Sequence, residues 1–155
     1  MIRILSRDEV VSFIISNFDY LTAKGFKIAN VEFLNEMVWD IYIEGQCQIR
    51  INWYWHDGMS MMISKSGTPV SENKKWYSIE TLVCFLAGKE VLEKFYEALM
   101  ADKSDYKVRA YVDFLSTHLE KVVEVVTSEQ FEKHDSKLKK LKRALEQLIV
   151  EKYAV

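Results

Sequence analysis

Proline occurs once in this chain and glycine five times among 155 residues. Few positions are therefore available to cradle a phosphate through the backbone. No Gly-x-Gly-x-x-Gly, P-loop or Gly-x-Ser-x-Gly pattern is present. The two cysteines, Cys47 and Cys84, stand far apart among apolar neighbours, which reads as reduced core thiols of a cytoplasmic protein. No apolar run approaches the roughly 20 residues of a membrane helix. The opening residues Met1-Ile2-Arg3-Ile4-Leu5 lack the ordered regions of a signal peptide. Neither sign of charge predominates. The formal net charge is −2, far from the basic footprint of a nucleic-acid binder. No membrane, nucleic acid or cofactor is expected as a partner.

What is present is material for a core. An apolar fraction of 49% with 28% charged residues is ordinary for a globular protein. At this length one domain, residues 1–155, buries roughly two-thirds of its unfolded surface. Ser6-Arg7-Asp8-Glu9 is a capping box, with Leu5 and Val10 at the staple positions. Val10, Phe13, Ile14, Phe18 and Leu21 then recur at helical spacing up to Gly25, a natural stop.

Beyond Gly25 the period changes to two. Ala29, Val31 and Phe33 alternate with polar neighbours, as do Trp39, Ile41 and Ile43. Cys47, Ile49, Ile51, Trp53 and Trp55 follow, and then Met59, Met61 and Ile63. This predicts four antiparallel strands in a meander. Three-residue loops at Leu34-Asn35-Glu36, Glu44-Gly45-Gln46 and His56-Asp57-Gly58 keep all these apolar sets on one face. That register sets Ile41 opposite Ile49, Trp53 opposite Met61 and, on the other face, Asp40 opposite Arg50. A polar connection over residues 65–77 is expected either to lie against the surface or to be mobile.

The rest reads as four helices. Ser78 caps the first, which Gly88 stops; the second runs from Lys89 to about Ala101. Ser104 opens a third carrying Val108, Tyr111, Val112, Leu115, Leu119 and Val122. Thr127-Ser128-Glu129-Gln130 is a second capping box, and the last helix carries Phe131, Leu138, Leu141, Leu145 and Leu148 in a near-heptad stripe. A reversal near Thr127 makes the last two helices an antiparallel hairpin. The expected class is α+β: an N-terminal helix, a four-stranded antiparallel meander, then four helices including a C-terminal hairpin.

Candidate chemistry is sparse. His56 beside Asp57 fits turn chemistry better than a base with its orienting carboxylate. His118 and His134 would face each other across the C-terminal hairpin and, with Glu120, Glu124 or Asp135, could bind a metal. No His-x-x-x-His or Glu-x-x-His pair supports this, and half-buried seam histidines explain them as well. The basic cluster Lys137, Lys139, Lys140, Lys142 and Arg143 occupies positions outside the leucine stripe, as a solvated helix face would. The outer sheet face is the strongest lead. Asp40, Tyr42, Arg50, Asn52 and Tyr54 place tyrosine, arginine and asparagine on a rigid surface, a composition typical of recognition patches.

The segment from Phe18 to Ile63, with Leu21-Thr22-Ala23-Lys24-Gly25-Phe26, Val38-Trp39-Asp40-Ile41-Tyr42-Ile43 and Gln48-Ile49-Arg50-Ile51-Asn52, resembles the layout of small bacterial α+β proteins, some of the toxin-immunity type. The resemblance is one of pattern. It implies a protein that neutralises a cognate toxin by binding it, and it transfers no site residues. The leading expectation is a non-enzymatic protein-binding module whose partner is another protein. A small metal-dependent enzyme with a site near His118 and His134, or a structural protein that self-associates through its C-terminal helices, are the alternatives.

Overall fold

The computed structural model describes residues 6–35, 38–54, 58–72, 75–101, 108–128 and 131–153. Helix α1 (Arg7–Asn17) starts at the capping box: Glu9 N–H donates to Ser6 Oγ at 3.2 Å, and Ser6 N–H donates to Glu9 Oε1 at 3.2 Å. The staple partner Leu5 lies outside the described residues. The helical run does not continue unbroken to Gly25. It bends at Phe18 (φ −116°, ψ 38°) and resumes as a short α2 (Asp19–Ala23). The bend keeps Ile14, Phe18 and Leu21 all buried. Gly25 then ends the segment with φ +88°, the left-handed conformation that favours glycine.

The period-two stretch forms strands β1 (Lys27–Asn35), β2 (Val38–Glu44), β3 (Gln48–Tyr54) and β4 (Gly58–Ser64). A two-residue β5 (Tyr77–Ser78) adds to β4, so the sheet has five strands rather than four, all antiparallel and in sequence order. Trp39 lies opposite Trp53, Ile41 opposite Ile51, and Ile51 opposite Met61. Each pairing is displaced by two residues from the expected one. The β2–β3 connection is Gly45-Gln46-Cys47, and β3 and β4 close over residues 55–57, which lie outside the described residues with Trp55, His56 and Asp57. A two-residue shift preserves parity, so the inward set is unchanged: Trp39, Ile41, Ile43, Ile49, Ile51, Trp53, Met59, Met61 and Ile63 are all buried. Gly45 is required by packing, because a Cβ there would fall 2.5 Å from the Phe26 ring.

Strand β1 departs from strict alternation at both ends. A bulge between Ile28 and Asn30 turns Ile28 toward the core and leaves Ala29 exposed. Leu34 and Asn35, expected in the loop, belong to the strand. Phe33 lies opposite Trp39, with ring centroids 4.7 Å apart, yet stays 43% exposed at the end of the edge strand.

Helices cover the inner face. Phe13 of α1 stacks on Trp53 at 4.5 Å between centroids. After the sheet come α3 (Ile79–Ala87), α4 (Lys89–Ala101), α5 (Val108–Thr127), a 3-10 turn (Phe131–His134) and α6 (Asp135–Tyr153). Ser78 caps α3 by accepting from Thr81 N–H at 3.1 Å. Phe95 of α4 stacks on Phe114 of α5 at 4.1 Å. The expected C-terminal hairpin is realised only loosely, because α3 packs against both α5 and α6. Leu138 and Leu145 are buried in the chain's own core and Leu141 is half-buried, so this part of the stripe serves the monomer. The Leu148 side chain, Ser104, Glu129 and Gln130 lie outside the described residues. No helix of the described residues is long and apolar enough to cross a membrane.

The face assignment has a direct check. Ile51 is fully buried between Ile41 and Met61, so Ile51→Asp, which buries a charge with no partner, should abolish the cooperative urea transition. Asn52→Asp points to the other face, opposite Asp40, and should remain folded at a cost of about 1 kcal/mol from like-charge opposition. Equal losses in the two urea titrations would contradict the assignment.

Candidate functional site

The outer face of the sheet is organised around one carboxylate. Two cross-strand rows lie side by side: Asn30, Tyr42, Arg50 and Met62 in one, Glu32, Asp40, Asn52 and Ser60 in the other. Asp40 therefore lies opposite Asn52, with Arg50 on the diagonal rather than directly across. A long guanidinium spans that diagonal readily. Arg50 Nε donates to Asp40 Oδ1 at 3.0 Å and an Arg50 terminal nitrogen donates to Oδ2 at 3.1 Å, a bidentate pair. Tyr42 O–H donates to Oδ2 at 2.6 Å, and the guanidinium carbon stands 5.6 Å from the Tyr42 ring centroid.

This network removes Asp40 from the candidate contact surface. Asp40 is 1% exposed, whereas the Arg50 side chain keeps 21% of its surface in solvent. Asp40 thus positions Tyr42 and Arg50 instead of meeting a partner. Burial and the Asp40 hydrogen bond push the Tyr42 hydroxyl up to about 12, so it stays a neutral donor. Asn52 is half-buried, and its Oδ1 is buried without a hydrogen-bond partner in the structure. Tyr54 belongs to β3, but its side chain lies outside the described residues.

Beside the network is a groove of about 560 Å³, floored by Asn30, Tyr42 and Gln48 and walled by Thr68, Pro69 and Val70. The long connection forms that wall. Ser64 O–H donates to Lys75 C=O at 2.7 Å, Trp76 Nε1–H donates to Pro69 C=O at 3.1 Å, and Ser66 O–H donates to Gly45 C=O at 3.0 Å. Trp76 is buried beneath it. The only charged residues lining the groove among those described are Glu32 and Glu44. Gln48 Nε2 donates to Glu44, while Gln48 Oε1 is buried with no partner in the structure.

A second concavity, about 480 Å³, opens where the β4–β5 edge meets α3, α4, α5 and α6; Met62, Glu80, Tyr96, Tyr111, Lys142 and Glu146 are among its lining. Tyr111 O–H donates to Glu80 Oε1 at 3.1 Å. Burial holds the Glu80 carboxyl above the ordinary glutamate range, against the opposing pull of its hydrogen bonds. Sequence reading passed over Glu80, which looks like an ordinary acid in the first turn of a helix.

The histidines do not assemble a metal centre among the described residues. His118 packs edge-on to Phe114 at 5.0 Å and His134 tilts against Phe85 at 5.1 Å. No group of three or more His, Cys, Asp or Glu side chains suited to one ion occurs among the described residues. Burial, followed by Lys121, lowers the His118 pKa. Burial pushes the Cys47 thiol up to about 12 and also raises Cys84, so neither is an activated nucleophile. No protein-family model matches the chain, and no curated protein or solved structure is recognisably similar to it.

Two outcomes test these assignments. Asp40→Ala leaves Arg50 without its acid and should cost about 2–3 kcal/mol in urea unfolding, less than a fully buried pair because Arg50 is part-solvated; Tyr42→Phe should cost about 1 kcal/mol. For Glu80 the folded protein binds its proton more tightly than the unfolded chain. Stability therefore falls as pH rises through the ordinary glutamate range toward the raised folded-state value, and Glu80→Gln should remove that share of the pH slope. Superimposable stability–pH curves for wild type and variant would refute the burial of this carboxyl.

Proposed function

We propose that this protein is a non-enzymatic binding module that engages another protein through the outer face of its sheet, in the manner of an immunity-type inhibitor masking a bacterial toxin. The observation that carries this reading is the groove whose charged lining, among the described residues, is wholly acidic. Glu32 and Glu44 are exposed on it, and the Arg50 charge is already engaged by Asp40. The complementary surface is a segment rich in lysine or arginine. Acidic complementarity of this kind sets partner choice and association rate more than raw affinity. Tyr42 and Arg50, pre-positioned by Asp40, supply the side-chain types that recur at binding hot spots.

The experiment compares the wild type with a Glu32→Lys/Glu44→Lys double variant, both positions exposed and remote from the core. The partner recovered by pull-down from the native host is purified and its affinity measured calorimetrically for each. A weakening of at least ~tenfold, with an unchanged melting temperature and a wild-type affinity that falls as salt is raised, is the expected result. A partner that binds both proteins equally places the interface elsewhere.

A further inference from the structure

The second concavity holds a carboxylate without a countercharge. Glu80 lies in the first turn of α3, where the helix N-terminus favours an acid. The residue is half-buried there, at the wall of the cleft. The hydrogen bonds it receives come from neutral donors: the Tyr111 hydroxyl, the Ser78 hydroxyl and a backbone N–H. No cation among the described residues forms an ion pair with it; Lys142 lines the same cleft without doing so. A partly desolvated carboxylate is stabilised more by a cation than by neutral donors alone. The remaining lining supplies aromatic rings from Tyr96 and Tyr111 and an apolar side chain from Met62. At about 480 Å³ the cleft is within the size range of small-molecule sites.

We propose that this cleft is a binding site for a small organic cation, a primary ammonium on an apolar body, whose charge pairs with the Glu80 carboxylate and lies against the rings of Tyr96 and Tyr111. The ammonium supplies the missing countercharge, and tyrosine faces attract cations through their quadrupoles. A metal ion is less suited, since no set of three ligating side chains converges among the described residues. Glu146, exposed one helical turn from Lys142 on α6, adds a second acid to the rim. The site is separate from the outer-face groove, and its ligand need not be involved in binding a protein partner.

Phenethylamine, 2-phenylethanol and 3-phenylpropionate share one apolar body and differ in charge. Each is titrated into the full chain at pH 7 and followed by amide and tyrosine NMR shifts. The amine alone is expected to give saturable shifts centred on Glu80, Tyr96 and Tyr111. Glu80→Gln, close in shape and lacking the charge, should weaken it at least ~tenfold while its thermal transition stays intact. Glu146→Lys, on the exposed rim, should weaken it in the same direction and serves if the Glu80 variant does not fold. The proposal is overturned if the alcohol or the anion binds as well as the amine, if no probe shifts these residues, or if the folded variants bind the amine as the wild type does.

Discussion

The architecture depends on parity. From Trp39 to Ile63 every odd-numbered strand position carries a bulky apolar residue that faces the helices, and each turn between those strands preserves that side. A one-residue slip in any hairpin would turn Ile49, Ile51 and Trp53 into water and bring Gln48, Arg50 and Asn52 into the core. The exchange is forbidding, because each large apolar side chain contributes roughly 1.5–3 kcal/mol on burial and each unmatched polar group costs a comparable amount. A two-residue slip carries no such cost. It exchanges Ile41–Ile49 for Ile41–Ile51, one apolar pair for another. Turn geometry then decides among even registers, and Gly45 under the Phe26 ring is the contact that marks the β2–β3 turn.

That difference in cost explains how much of the molecule could be read from the chain. The face of each residue in β2, β3 and β4 was legible because burial enforces it. The partner of each residue was not, because pattern alone leaves even registers degenerate. The bulge at Ala29 and the bend at Phe18 escaped for a related reason. Each follows from packing against elements distant in sequence, whereas alternation and helical period are local signals. The fifth strand is too short to carry a pattern. The C-terminal hairpin was inferred from adjacency in sequence, but the leucines of α6 find α3, whose apolar surface the local spacing could not assign to a neighbour.

The candidate sites follow the same division. Tyr42, Arg50 and Asn52 were legible as members of one outer row set, since parity suffices to place them there. The burial of Asp40 was not legible, because a carboxylate on a solvent-side position reads as exposed until the two residues that cover it are known to converge. Glu80 left a fainter signal. The segment Ile79–Ala87 is apolar almost all round, with Ile79, Thr81, Leu82, Val83 and Cys84 buried. A helix of that kind is enclosed on most sides, so its single acid is drawn partly out of solvent with it. That inference was available before any coordinates, and only the partners of the acid were not.

Asp40, fully buried, and Glu80, half-buried, show opposite solutions to one problem. Asp40 is matched within the sheet by a bidentate guanidinium and a phenol, and the cluster stiffens the surface beside the groove. Glu80 is matched by neutral donors alone, so its burial raises its proton affinity instead of being offset by a cation. An acid compensated within the fold is complete and contributes rigidity. One lacking a cation retains unused electrostatic capacity, and an open cleft exposes that capacity to whatever enters. Position in the fold thus sets the two carboxylates apart: Asp40 organises the outer surface of the sheet, while Glu80 stands in a cleft among neutral donors alone.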